Sequence, residues 1–271
     1  MELFGFVAAV LIGLILGLIG GGGSILTVPV LVYLFHVQPE LGTAYSLFIV
    51  GTTSLIGVLP KWQQKEVDLR TALLFGLPSM LTVFTTRKWI LPTIPDVIFS
   101  SEHLVLTKSN AMLVLFSVLM LFAAFKMLRG QTSEHEQVQN AFEWNNYPLM
   151  FQGAIVGVLT GLVGVGGGFL IVPALVMLSK LSMKMAVGTS LLIIAVNSLV
   201  GFTGDVWTQG SLMDWKFLGL LTLLAVIGIL VGGKLAKKME TKVLRRGFAW
   251  FVLVMGVFIF IKELYGMFKA Y

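Results

Sequence analysis

The sequence predicts an all-α, polytopic membrane protein. It reads as two inverted-topology repeats, each a glycine-broken helical hairpin plus three transmembrane helices. Three observations predict this. First, of 271 residues 57% are hydrophobic and 12% charged, about half the ~25% charged share of an ordinary soluble domain. Residues 3–35, 186–204 and 217–233 contain no charge at all, and about 20 apolar residues suffice to span a bilayer as a helix. Second, the chain contains itself twice. GLIGGGGSILTVPVLVYL, from Gly17, reappears 144 positions later as GLVGVGGGFLIVPALVML, from Gly161. SLFIVGTTSLIG, from Ser46, lies without a gap over SLLIIAVNSLVG, from Ser190. Residues 17–57 against 161–201 give 17 identities in 41 positions, and glycine, proline and serine match as well as leucine. Third, matching loops reverse their charge. Lys61, Lys65 and Arg70 follow the third segment of the first half, against Lys216 alone in the second. The loop after the fourth segment carries Arg87, Lys88 and Lys108 in the first half, against Lys234, Lys237, Lys238, Lys242, Arg245 and Arg246 in the second. Basic loops favour the cytoplasmic side, so the halves are expected to lie in opposite orientations. The better assignment puts 13 of the 19 basic residues inside and both termini outside.

The elements follow in order. Residues 3–19 form a first apolar helix, ended by Gly20–Gly23, because each glycine in a helix interior costs about 1 kcal/mol relative to alanine. The segment at 24–35 is too short to cross: about 11 residues at 1.5 Å each cover roughly 17 Å of a ~30 Å hydrocarbon core. The glycine run therefore joins two pieces of a hairpin or of a broken helix, and Pro29, like Pro173 in the second half, is expected to kink the short piece. Full spans follow at 44–60, 70–86 and 107–128. The polar stretch 129–146 (RGQTSEHEQVQNAFEWNN) links the first transmembrane repeat, 1–128, to the second, 147–271. There the segments recur at 148–163, 169–179, 186–203, 215–235 and 246–268.

Inverted repeats with discontinuous helices are a recurring transporter design, with substrate held near the midplane and access alternating between the two sides. Irregular backbone at membrane depth is tolerated where protein buries it or a cavity wets it. Free N–H groups at a half-helix start make a ready anion site. Two readings of the glycines stand side by side: substrate lining for the two runs, and close helix packing for scattered glycines such as Gly5, Gly13, Gly153 and Gly157. The candidate substrate-binding residues are Gly22, Gly23 and Ser24 at the first break and Gly166, Gly167 and Gly168 at the second. Ser46, Thr53, Ser190 and Asn197 join them from the third segments. Hydroxyls and an amide donate to anion oxygens without adding fixed charge; equally, they can bond to their own helix backbone or to a neighbouring helix. Lys126, Asp205, Asp214 and Lys262 lie near segment ends and are expected to snorkel or to be solvated.

Several classes are disfavoured. The chain has no cysteine and only three scattered histidines, so no metal-ligand set is visible. No nucleophile–base pair argues for an enzyme, and no glycine loop with lysine argues for nucleotide binding. The net charge of +6 sits in loops and does not suggest nucleic acid.

The paired motifs GLIGGGGSILTVP and GLVGVGGGFLIVP, each followed by a Ser/Thr-bearing helix (AYSLFIVGTTS and VGTSLLIIAVNS), resemble the TauE/SafE family of sulfite exporters and related permeases. The resemblance covers nearly the whole chain. It implies transport of a small sulfur-containing anion, such as sulfite, sulfoacetate or a related organosulfonate, across a bacterial cytoplasmic membrane. The alternative is another small solute, a neutral metabolite or metal ion, on the same scaffold. No cofactor is expected. The expected partners are the anion and the lipid bilayer, with a homodimer allowed.

Overall fold

The computed structural model describes residues 2–19, 21–101, 104–129, 147–164, 167–178, 181–236 and 241–268. These described residues are helical almost throughout. Helix α1 (Glu2–Ile19) is followed by a composite short helix, α2, over 21–34. It opens as a 3-10 turn (Gly21–Leu26), passes through one α turn (Thr27–Pro29) and widens to a π turn (Val30–Leu34). Proline has no N–H to continue the ladder, and the change of pitch at Pro29 is the expected distortion. Helix α3 spans Pro39–Gln63, α4 Leu69–Thr93 and α5 Lys108–Arg129. In the second half α6 spans Tyr147–Val163, α7 Gly168–Leu178, α8 Met183–Gln209, α9 Trp215–Ala236 and α10 Thr241–Phe268. Among the described residues, five helices are long and apolar enough to cross a bilayer.

Two features depart from the expected segments. Helix α4 does not stop at 86: it continues through a π turn at Thr86–Ile90 to Thr93. The stretch between the expected segments 70–86 and 107–128 is not all loop: an antiparallel hairpin, β1 (Val97–Ser101) with β2 (Leu104–Thr107), runs through it to the first residue of the expected fifth segment.

The packing is reciprocal between the halves. Helix α1 packs along α9, and α6 along α4; α3 packs on α8, α5 on α10, and the 3-10 turn of α2 on α7. Small residues set the closeness. Side chains at Gly13 and Gly17 would collide with the carbonyl oxygens of Ala225 and Ile229, and one at Gly228 with that of Val10. Equivalently, side chains at Gly153 and Gly157 would collide with the carbonyl oxygens of Phe75 and Ser79. Backbones approach this closely only where no Cβ intervenes, so the scattered glycines pack helices, as expected of them. Gly5 accommodates the ring of Phe35 from the loop after α2; α1 and α2 thus return to the same end, as a hairpin does.

Helix directions follow from these pairings. Contacts advance together along α1 and α9 and along α6 and α4, so each pair is parallel. Helices α3 and α8 run antiparallel: the loop ending α3 meets the start of α8, where Gly188 abuts the carbonyl of Glu66. The loop ending α8 meets the start of α3. Two hydrogen bonds close these ends in matching fashion. The backbone N–H of Asp68, the N-cap of α4, donates to Thr189 Oγ1 of α8 at 2.9 Å. That of Asp214, at the start of α9, donates to the Tyr45 hydroxyl of α3 at 2.6 Å. Thr189 stands 144 positions after Tyr45, as the repeat dictates.

The outer surface is apolar. Leu69, Leu73, Leu77 and Leu81 recur every fourth residue of α4 and are exposed, whereas Thr71 and Ser79 on the same helix are buried. That inversion of the soluble pattern suits a hydrocarbon environment.

Candidate functional site

A polar seam runs through this apolar interior along α3 and α8. Thr43, Ser46, Thr53 and Ser54 on α3, and Thr189, Ser190, Asn197 and Ser198 on α8, are all buried. Some spend their donors on their own helix. Thr53 Oγ1 donates to the Ile49 carbonyl at 2.6 Å, and Ser190 Oγ to that of Val187 at 2.8 Å. Asn197 reaches across: its Nδ2 donates to Ser79 Oγ of α4 at 2.6 Å, while its Oδ1 has no partner. The hydroxyls of Ser46, Ser54 and Ser198 are buried without a hydrogen-bond partner. Ser54 and Ser198 are equivalent in the repeat and lie close to where Gly51 packs against Leu199. Buried polar groups are almost always bonded, so equivalent orphans on two facing helices call for a ligand or water to satisfy them.

The breaks flank this seam. Gly22, Gly23 and Ser24 lie in the 3-10 turn of α2, with Ser24 fully buried. In the second half Gly164 and Gly167 take left-handed backbone, φ +72° and +69°, which glycine adopts without the Cβ penalty. The Gly167 carbonyl accepts the N–H groups of Leu170 and Ile171 and so starts α7, whose first residue is Gly168. Gly166 lies outside the described residues. Beside Gly167, the Thr160 hydroxyl is buried without a partner.

The sequence reading missed the main charged feature. Asp205 does not snorkel; it is 1% exposed and faces Arg87, also 1% exposed. Arg87 Nη1 lies 3.1 Å from Asp205 Oδ2 and donates to Thr43 Oγ1 at 3.1 Å. The reason is element length. Helix α4 runs past 86 and α8 past 203, so two residues assigned to loop or helix end fall inside packed helices. The clue was available: after Arg87-Lys88 the apolar run resumes as WILP, too greasy for an exposed loop. Nearby, the Lys88 ammonium sits 4.5 Å from the Trp207 ring centroid and 5.7 Å from that of Trp89, an aromatic belt of the kind found at a membrane interface. Asp214, in contrast, is exposed and caps α9 through the N–H groups of Lys216 and Phe217. Lys262 is exposed, its ammonium 4.0 Å from the Tyr33 ring centroid.

At the end of the molecule where α2 meets α3, a vestibule of about 840 Å³ opens, lined among others by His36, Glu40, Tyr45 and Asp214.

The model of the sulfite exporter TauE/SafE family matches residues 5–259. The chain belongs to the TauE/SafE family. Among its relatives in that family, a "Probable membrane transporter protein" of Xylella fastidiosa is 28% identical over 257 residues, covering 92% of this chain and 91% of that one. The "Probable membrane transporter protein YunE" of Bacillus subtilis is 30% identical over 271 residues, covering 88% and 90%. No solved structure matches. With its family and its apolar helices together, this TauE/SafE chain is a multi-pass membrane protein.

Proposed function

We propose that the protein is a permease or exporter that moves a small sulfur-containing anion, such as sulfite or an organosulfonate, across a bacterial cytoplasmic membrane by alternating access. One observation carries the reading: two equivalent helices, α3 and α8, hold buried, unpartnered hydroxyls at equivalent positions, Ser54 and Ser198, between two glycine breaks. Such hydroxyls donate to anion oxygens without adding fixed charge. The antiparallel course of α3 against α8 supports an inverted relation between the halves, in which rocking of one against the other exposes the seam to each side in turn. Family membership supports the transporter class, and the name of the family model supports the substrate class.

The test is flux. Purified protein reconstituted in liposomes is expected to carry sulfite or an organosulfonate such as methanesulfonate, faster than protein-free vesicles by at least tenfold. Equal flux with and without protein for every sulfur anion, alongside transport of a neutral metabolite or nickel, would move the protein to another substrate class.

A further inference from the structure

We infer that Arg87 forms a dedicated site for a singly charged oxyanion at the second glycine break, and that Asp205 sets its preference for one negative charge over two. This rests on the permease reading and assigns it an anchor.

The guanidinium of Arg87 is all but completely buried, yet only Nη1 is engaged, by Thr43 and Asp205. Its Nε and Nη2 have no hydrogen-bond partner. These two nitrogens form one edge of the planar fork, and their parallel N–H groups match two oxygens of a single oxyanion. A buried donor left unsatisfied is costly, more so when charged, and leaving a whole edge free while the other end is paired is the arrangement of a half-occupied binding group.

The free edge lies at the second glycine break. Nη2 lies against Gly164, where any side chain would strike it. Gly164 adopts left-handed backbone, and only a residue without a side chain leaves room for Nη2 there. Three residues on, Gly167 starts the 11-residue helix α7, whose N-terminal dipole end favours an anion. The orphan hydroxyl of Thr160 sits at Gly167. Arg87 itself lies in the π turn of α4, a distortion that recurs at functional sites.

Among the described residues the site has no counterpart in the other half. The N-cap aspartates Asp68 and Asp214 are offset by 146 positions, which places Gly233 opposite Arg87 in the repeat. The third helices are offset by 144, which places Lys61 opposite Asp205. Lys61 is part-exposed and pairs with Glu66 at 2.7 Å. Among the described residues the duplicated scaffold therefore carries one buried guanidinium, at the end of the molecule with the Lys88 aromatic belt.

Charge then selects. Arg87 and Asp205 neutralise each other, so a monoanion brings the site to one net negative charge and a dianion to two. Both would face the Asp205 carboxylate across a shared guanidinium, in a setting where like charges repel strongly. The preferred ligand has the trigonal oxygen face of a sulfonate and a single charge.

The probes are methanesulfonate and sulfate, which share that face and differ in charge. Ligand-induced thermal stabilisation of purified protein gives both dissociation constants. The parent is expected to bind methanesulfonate at least tenfold more tightly than sulfate. Asp205→Asn should tighten sulfate and bring the two within about threefold. Because Arg87→Gln alone strands a buried carboxylate, the paired variant Arg87→Gln/Asp205→Asn keeps the site neutral and foldable; it should weaken methanesulfonate at least tenfold. A folded double variant that binds methanesulfonate within twofold of the parent overturns the site, and an unchanged preference in Asp205→Asn overturns the role of Asp205. Liposome flux separates this from the parent reading. If the double variant carries methanesulfonate as the parent does, the permease stands and the Arg87 site falls. If the parent neither binds nor carries any anion, both fall together.

Discussion

Asn197 holds two positions at once, and they can be separated. Its Nδ2 ties α8 to Ser79 on α4; its Oδ1 remains free within the seam. Losing a buried hydrogen bond while stranding a partner costs about 1–3 kcal/mol. Ser79→Ala breaks the same bond and leaves Oδ1 in place. Both Ser79→Ala and Asn197→Leu should therefore lower the thermal midpoint by a few degrees. Only Asn197→Leu should also reduce liposome flux, by tenfold or more. Equal flux in the two variants would reduce Asn197 to a tie between helices. Thr53, its counterpart in the repeat, already donates into its own helix, so Thr53→Val should affect flux less than Asn197→Leu. At this scale the sequence identified residue types and equivalences well. It could not say which donors turn inward, because that depends on rotamers and neighbours rather than on spacing.

Among helices, glycine spacing decides how near two backbones come. Gly13 and Gly157 are equivalent, and each meets a carbonyl of the partner helix from the other half, Ala225 and Ser79 respectively. A side chain there must push the helices apart, at a cost of about 1–3 kcal/mol for overpacking. Gly13→Val and Gly157→Val should each destabilise the protein by this amount, measured by thermal unfolding in detergent. Gly219→Ala is the control, because nothing lies within 4 Å of the added group and alanine favours the helix by about 1 kcal/mol. Equal loss in all three would mean that the α1–α9 and α4–α6 contacts do not govern stability. Ten helical segments were legible from apolar runs bounded by Gly, Pro and charge. The ends were not: Pro39 begins α3 five residues before the expected 44, because proline is preorganised at a first turn. Helix α4 outruns Arg87 because that residue finds a buried carboxylate on α8, a partner 118 positions away that no local pattern reveals. The β1–β2 hairpin was missed for the same kind of reason: two four- or five-residue strands between long helices leave too few alternations to read.

Across the whole molecule, the duplication and the loop charges were readable because both are global sums that survive local error. They give a topological expectation. With residue 65 in the loop after α3 and residue 211 in the equivalent loop after α8, both exposed, single cysteines at Lys65 and Ser211 should label from opposite faces of sealed vesicles. Lys65→Cys should label from the cytoplasmic face. Labelling of both from one face would contradict opposed halves. The chain has no native cysteine, so such experiments carry no background.

The same property permits the most direct measurement of the central claim, that the seam between α3 and α8 is the path of the substrate. Ser54→Cys and Ser198→Cys replace one buried, unpartnered hydroxyl each with a thiol of nearly the same size. In proteoliposomes, both should react with a small, membrane-impermeant methanethiosulfonate reagent. The transported anion should slow that reaction at least fivefold. Two thiols that stay unreactive in folded, transporting protein, while a cysteine at Lys65 labels readily, would show that the anion crosses elsewhere.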